Sequence, residues 1–151
     1  MLFATSFEVK AGSTDKLLDE LTQALDKKNV YFKQRADHIA TLTKEFNAHQ
    51  AGGEAKFAAG IRIYQEYKSF KYDSAFMYAQ RLLRLATASR KPDKIEASKL
   101  NLAFIQVSSG MFKEAFENLE SIDPTPLDSA SRVELYFTKA RAYADLADFN
   151  A

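Results

Sequence analysis

Gly110-Met111-Phe112-Lys113-Glu114-Ala115-Phe116 decides the fold, because Phe70-Lys71-Tyr72-Asp73-Ser74-Ala75-Phe76 carries the same pattern 40 residues earlier. A second echo relates the stretch from Ala103 to Phe112 to the stretch from Ala140 to Phe149, at an offset of 37. Each unit reads as a helix, a tight turn bearing an aromatic ring, and a second helix that opens on an alanine. Ala75 and Ala115 leave room for paired helices to approach closely, and the aromatic beside each turn plugs the end of the pair. Repetition at this period marks stacked supersecondary units, each too small to bury its own apolar face.

Working outward, apolar residues recur at spacings of three and four after Gly12, with no clean alternation by two, so every element is expected to be helical. A first helix is expected from Ser13 or Thr14, with Leu17, Leu18, Leu21, Ala24 and Leu25 on one face, ending near Lys27-Lys28-Asn29. A second runs from about Val30 to His49 and packs antiparallel against it. Ala51-Gly52-Gly53 is the clearest break. The third helix carries Phe57, Ala58, Ile61, Tyr64 and Tyr67, and the fourth Ala75, Ala79, Leu82, Leu83 and Ala86. Beyond Pro92, Asp93 and Glu96 have the spacing of a capping box. The fifth helix carries Leu100, Ala103, Phe104 and Val107 and stops at Gly110, and the sixth runs from about Phe112 to Ile122. The seventh runs from about Asp128 to Leu146, with Val133, Phe137, Ala140 and Ala144 on one face. The expectation is all-α, about seven helices and no sheet.

Gly110-Met111-Phe112-Lys113-Glu114-Ala115 resembles the turn and second-helix opening of the tetratricopeptide repeat (TPR), a helical hairpin of about 34 residues. Ala140-x-x-Tyr143-x-x-x-Ala147-Asp148-Phe149 resembles the end of a first helix and its turn. The chain departs from that pattern in having no Trp and in placing Lys99 where a large apolar residue is usual. The resemblance implies antiparallel hairpins stacked as a right-handed solenoid: a leading pair over 12–50, hairpins over 54–90 and 93–123, and a truncated third over 128–151, in one domain over 12–151. Leu17-Leu18-Asp19-Glu20-Leu21, Tyr31-x-x-Gln34-Arg35-x-x-x-Ile39-x-x-Leu42 and Glu66 through Ala75 are also similar to the N-terminal part of bacterial membrane-anchored regulators. In those, an exported TPR array precedes one membrane span and a cytoplasmic DNA-binding tail. That likeness implies the sensor portion of a longer regulator of transcription, with any membrane attachment in a downstream segment.

Composition narrows the function. The chain has 151 residues, 46% hydrophobic and 27% charged, with three Pro and five Gly, enough for a buried core and too apolar for a disordered tail. Cysteine is absent, which removes disulfides, thiolate nucleophiles and thiolate zinc sites. Residues 1–11 end in Val9-x-Ala11, the spacing a signal peptidase cuts, and read either as the remnant of an export signal or as a lead-in arm. The first reading places the chain on the extracytoplasmic side of a membrane, the second leaves it cytoplasmic.

Chemistry is sparse. Two histidines, His38 and His49, stand eleven residues apart, about 16 Å along a helix, too far to share a metal. No Walker or dinucleotide glycine pattern occurs, and Ser108 and Ser109 lack the setting of a nucleophile elbow. No catalytic residue, metal or cofactor is expected, and the chain reads as a non-enzyme. Residues 27–91 hold 13 Lys and Arg against 5 Asp and Glu, while the flanking segments are acidic. Arg81, Arg84 and Lys91 are expected on one exposed stripe of the fourth helix, where they could steer an acidic peptide, a polyanion or a lipid surface. An ordinary solvated face, or attraction to the acidic third hairpin, also accounts for the block. Nucleic acid is not expected, because no reading helix accompanies the charge. The resemblance also nominates Ser98, Asn101, Ile105 and Ser108 of the fifth helix for a peptide groove, since first helices line that surface in TPR arrays. A scaffold binding a polypeptide is the leading expectation. A spacer or self-association module, homodimeric through the apolar face of the incomplete hairpin, is the alternative.

Overall fold

A computed structural model describes residues 11–49 and 53–149. These form α1 (Ala11–Ala48), α2 (Glu54–Tyr67), α3 (Tyr72–Ser89), α4 (Pro92–Ser108), α5 (Phe112–Glu120) and α6 (Ser129–Phe149). No strand occurs among the described residues. Backbone contacts divide the chain into two compact units, Met1–His38 and Ile39–Ala151. The signal-like reading of residues 1–11 falls almost wholly outside the described residues.

The first unit corrects the sequence expectation. α1 runs unbroken through Lys27-Lys28-Asn29, so the antiparallel pair expected over 12–50 is one helix, and six helices stand where about seven were expected. No Gly or Pro lies between Ser13 and Gln50, and a single Asn costs well under ~1 kcal/mol inside a helix, too little to end one. Within this unit Leu17, Leu18, Leu21, Leu25 and Phe32 share a stripe and are each more than half exposed.

In the second unit α2 and α3 form one antiparallel hairpin and α4 and α5 another, and α6 packs on both α4 and α5. Leu42 and Phe46 of α1 join Ala59, Ile63, Tyr64, Ala75, Tyr78, Ala79, Leu82 and Ile105 in a first core. A second gathers Leu100, Ala103 and Val107 of α4, Ala115 and Leu119 of α5, and Leu135 and Ala142 of α6. Ala75 and Ala115 are both fully buried, as close helix approach requires. Gly60 serves the same end on α2, since a Cβ there would stand 3.0 Å from Leu82 Cδ2 and 3.1 Å from Phe46 Cε2. Tyr67 stacks on Tyr78 with centroids 6.0 Å apart and meets Phe70 at 5.8 Å, closing the first hairpin with aromatic rings.

Helix ends follow from single residues. Arg90 adopts a left-handed φ of 53° and stops α3. Pro92 takes the first turn of α4, with Lys91 as cap residue, so the capping box expected from Asp93 and Glu96 does not form. Gly110, at φ 72°, ends α4 in a Schellman turn: the Met111 amide donates to the Gln106 carbonyl at 2.9 Å and the Gly110 amide to Val107 at 3.0 Å. A Cβ at Gly110 would meet nothing within 4 Å, so Gly110→Ala isolates the conformational cost. It is expected to lower unfolding stability by about 1 kcal/mol, read from the midpoint of a urea titration. At the start of α6, Asp128 accepts the Ser131 amide at 2.7 Å, which caps the helix and lowers the carboxyl pKa.

Candidate peptide-binding face

α2, α4 and α6 each present a row of half-buried side chains at spacings of three, four and seven: Phe57, Ile61 and Lys68; Ala97, Asn101, Phe104 and Ser108; Ser131, Glu134, Arg141 and Asp145. Direct bonds join the rows. The Tyr64 hydroxyl, on the buried edge of α2, donates to the Asn101 carbonyl of α4 at 3.0 Å. Burial, reinforced by the Glu134 carboxylate, pushes this hydroxyl well above the usual tyrosine pKa, so it stays a donor.

Phe104 sits at the centre of one end of this face. Lys68 Nζ of α2 lies 5.2 Å from its ring centroid and the Arg141 guanidinium of α6 lies 5.5 Å from it. Arg141 donates through Nη1 to Ser108 Oγ at 3.2 Å and through Nε to Asp145 at 3.1 Å, which fixes the guanidinium plane. Lys68 approaches Glu134 at 3.8 Å. An aromatic surface between two cations, one of them pinned, suits a polar chain carrying carbonyls or carboxylates.

At the other end a cleft of about 370 Å³ opens between the starts of the same helices, floored by Phe57, Ala97 and Leu127 and rimmed by Asp93, Lys94 and Asp128. Lys94 is largely buried, its ammonium 4.7 Å from the Phe57 centroid and paired with Glu54. Lys91 reaches the same carboxylate at 2.9 Å. Hydrogen bonds from Lys94 and then Lys91 lower the Glu54 pKa from an ordinary 4.5 to about 2. A depressed folded pKa stabilises the fold above the unfolded value, and this contribution fades as pH falls from 4.5 toward about 2. Glu54→Gln is accordingly expected to lower the thermal midpoint near neutrality while leaving it unchanged at the acid end of that window. Equal losses at both ends would dismiss the ion pair as the cause.

The residues nominated from sequence divide. Asn101 and Ser108 lie on the face, whereas Ser98 and Ile105 are fully buried and are withdrawn from it. The face follows Ala97-Asn101-Phe104-Ser108, and Ser98 and Ile105 each stand one residue, about 100°, further round the helix. Ile105 thereby turns into the first core. Phe104 packs against the first core, as its apolarity predicts, and also opens onto this face beside Lys68, Glu134 and Arg141, which the sequence reading did not single out. The 97-101-104-108 spacing was the available signal.

The expected basic stripe does not survive intact. Arg81 rests 5.2 Å from the Tyr78 ring and Arg84 is exposed, both on α3. Lys91 lies beyond the left-handed Arg90, off the helix and bound to Glu54. Elsewhere in the basic block Arg62 pairs with Glu45 at 2.6 Å and Lys56 donates to the His49 carbonyl at 3.1 Å. Among the described residues no group of acidic side chains and histidines is placed to hold a metal ion, and no helix is long and apolar enough to cross a membrane.

Helical hairpins that meet at buried alanines and align their first helices on one face define a tetratricopeptide-type array. The model of the SusR N-terminal TPR domain family matches residues 25–151, and the chain belongs to that family. No curated protein and no solved structure matches it. Family membership supports a protein-interaction scaffold.

Proposed function

We propose that the α2/α4/α6 face holds an extended polypeptide segment and that the chain is the partner-sensing part of a larger regulatory protein. The observation that carries the first half is Phe104, half-buried between Lys68 and Arg141 on a row of side chains contributed by three successive first helices. Aligned helices offer an extended partner many spaced contacts without any chemistry of their own. The second half rests on the family, whose name ties this domain to the N-terminus of SusR, a regulator.

The test is selection of peptides from a random display library on the whole chain, followed by affinity measurement on variants. Phe104→Ala and Arg141→Glu are each expected to weaken a selected peptide at least ~10-fold, as loss of a central anchor does. Arg81→Glu with Arg84→Glu, on α3, is expected to leave affinity unchanged. Affinity lost only in the α3 variant would move the site to that helix, and a library that yields no binders would refute the reading.

A further inference from the structure

The first unit holds an apolar stripe that stands exposed among the described residues. Leu17, Leu18, Leu21, Leu25 and Phe32 are all more than half exposed. Because α1 is continuous, residues 30–49 cannot fold back to cover them. The charges around the stripe are sorted along the helix. Residues 14–26 carry Asp15, Asp19, Glu20 and Asp26 against Lys16 alone, and residues 27–35 carry Lys27, Lys28, Lys33 and Arg35 with no acid.

We propose that this stripe is a homodimer interface, in which the N-terminal parts of two α1 helices pair antiparallel about a two-fold axis at Leu25. Helix geometry, about 100° and 1.5 Å per residue, fixes the pairing. Leu18 of one copy comes level with Phe32 of the second, and Leu25 meets its own counterpart. Asp19 and Lys33 lie beyond one edge of the stripe and Glu20 beyond the other, while Lys28, between Leu17 and Leu21 in rotation, lies within it and reaches over the Phe32 ring at 5.5 Å. The two-fold brings Asp19 within a turn of Lys33 of the second copy, and Glu20 within a turn of Lys28 of the second copy. The acidic half of each helix thus lies beside the basic half of the other. A parallel pair would set acids against acids and bases against bases, and like charges at such a seam set orientation. An isologous contact of this kind closes after two copies.

The natural absence of cysteine makes the test direct. Leu25→Cys in the full chain is expected to oxidise to a covalent dimer, with Glu20→Cys, off the axis, staying largely monomeric. Sedimentation equilibrium should show the 17.0 kDa chain doubling in mass with concentration. Lys28→Glu with Lys33→Glu should raise the dimer dissociation constant at least tenfold. Adding Asp19→Lys and Glu20→Lys should restore it, which a fold defect would not allow. A chain that stays monomeric at hundreds of micromolar overturns the proposal. So does a dimer that ignores the charge reversals, or one abolished by Phe137→Glu on the exposed face of α6.

Discussion

Tyr64→Ala is expected to destabilise the second unit by roughly 3–5 kcal/mol, the cost of emptying a large aromatic site in a packed core. Tyr64 is 1% exposed, and its ring belongs to the cluster that joins α1, α2, α3 and α4. Its hydroxyl adds the 3.0 Å bond to the Asn101 carbonyl, a tie between the two hairpins on the proposed binding face. Tyr64→Phe separates the contributions. It keeps the ring and is expected to cost about 1 kcal/mol, the net value of one hydrogen bond. Chemical denaturation followed by circular dichroism measures both. If the two substitutions proved equally costly, the ring would be carrying nothing and the packing described for α2 would be wrong. The phenylalanine variant also bears on function, since it loosens the register of α2 against α4 while leaving every exposed side chain in place.

The second large effect belongs to Glu96 and Lys99. Lys99 Nζ donates to both Glu96 oxygens at 3.0 and 3.1 Å and to the Ser121 carbonyl at 3.0 Å. Glu96 also accepts the Asp123 amide at 3.1 Å, while Asn118 donates to the Lys99 carbonyl at 3.1 Å and to Gln106 Oε1 at 3.2 Å. The group clasps α4 to α5 and to the link into α6. The Glu96 and Lys99 side chains are 11% and 23% exposed, so removing one strands a poorly solvated charge. Glu96→Ala alone, or Lys99→Ala alone, is expected to cost about 3 kcal/mol. Replacing both by Met should cost clearly less than the two single losses together, because no unpaired charge remains. A double-mutant cycle that proved additive would show that the pair is merely a surface contact.

The same lysine shows how sequence and structure divided the information. Lys99 stood out because it occupies a position where such repeats carry a large apolar residue. Its partner was also in view, three residues earlier, but Glu96 had been assigned to a capping box with Asp93. Pro92, fixed in the first helical turn, starts α4 two residues sooner and leaves Glu96 a turn inside, facing Ser121 and Asp123. A local pattern matched, and a tertiary partner 27 residues away outcompeted it. Phe104 shows both sides: its apolarity packs it against the first core, while its remaining surface carries two cations from neighbouring helices that no local pattern announces.

What the amino acids determined by themselves is the array: an all-helical chain, hairpins turning at Phe70 and Gly110, and Ala75 and Ala115 at the close approaches. Those features are local, since a left-handed glycine, a missing side chain or a three-four periodicity acts over one or two turns. Three things were left to the tertiary structure. It decided that α1 runs unbroken through Lys27-Lys28-Asn29, since Asn costs too little to end a helix and only packing against a folded-back segment could have ended it there. It tied Lys91 and Arg62 of the basic block to Glu54 and Glu45, across 37 residues in the first case. And it set the rotation of α4, by which Asn101 and Ser108 face outward and Ser98 and Ile105 do not. A rotation of about 100° separates adjacent residues on a helix, and only the packing of α3, α5 and α6 around α4 selects which of two adjacent stripes is turned outward.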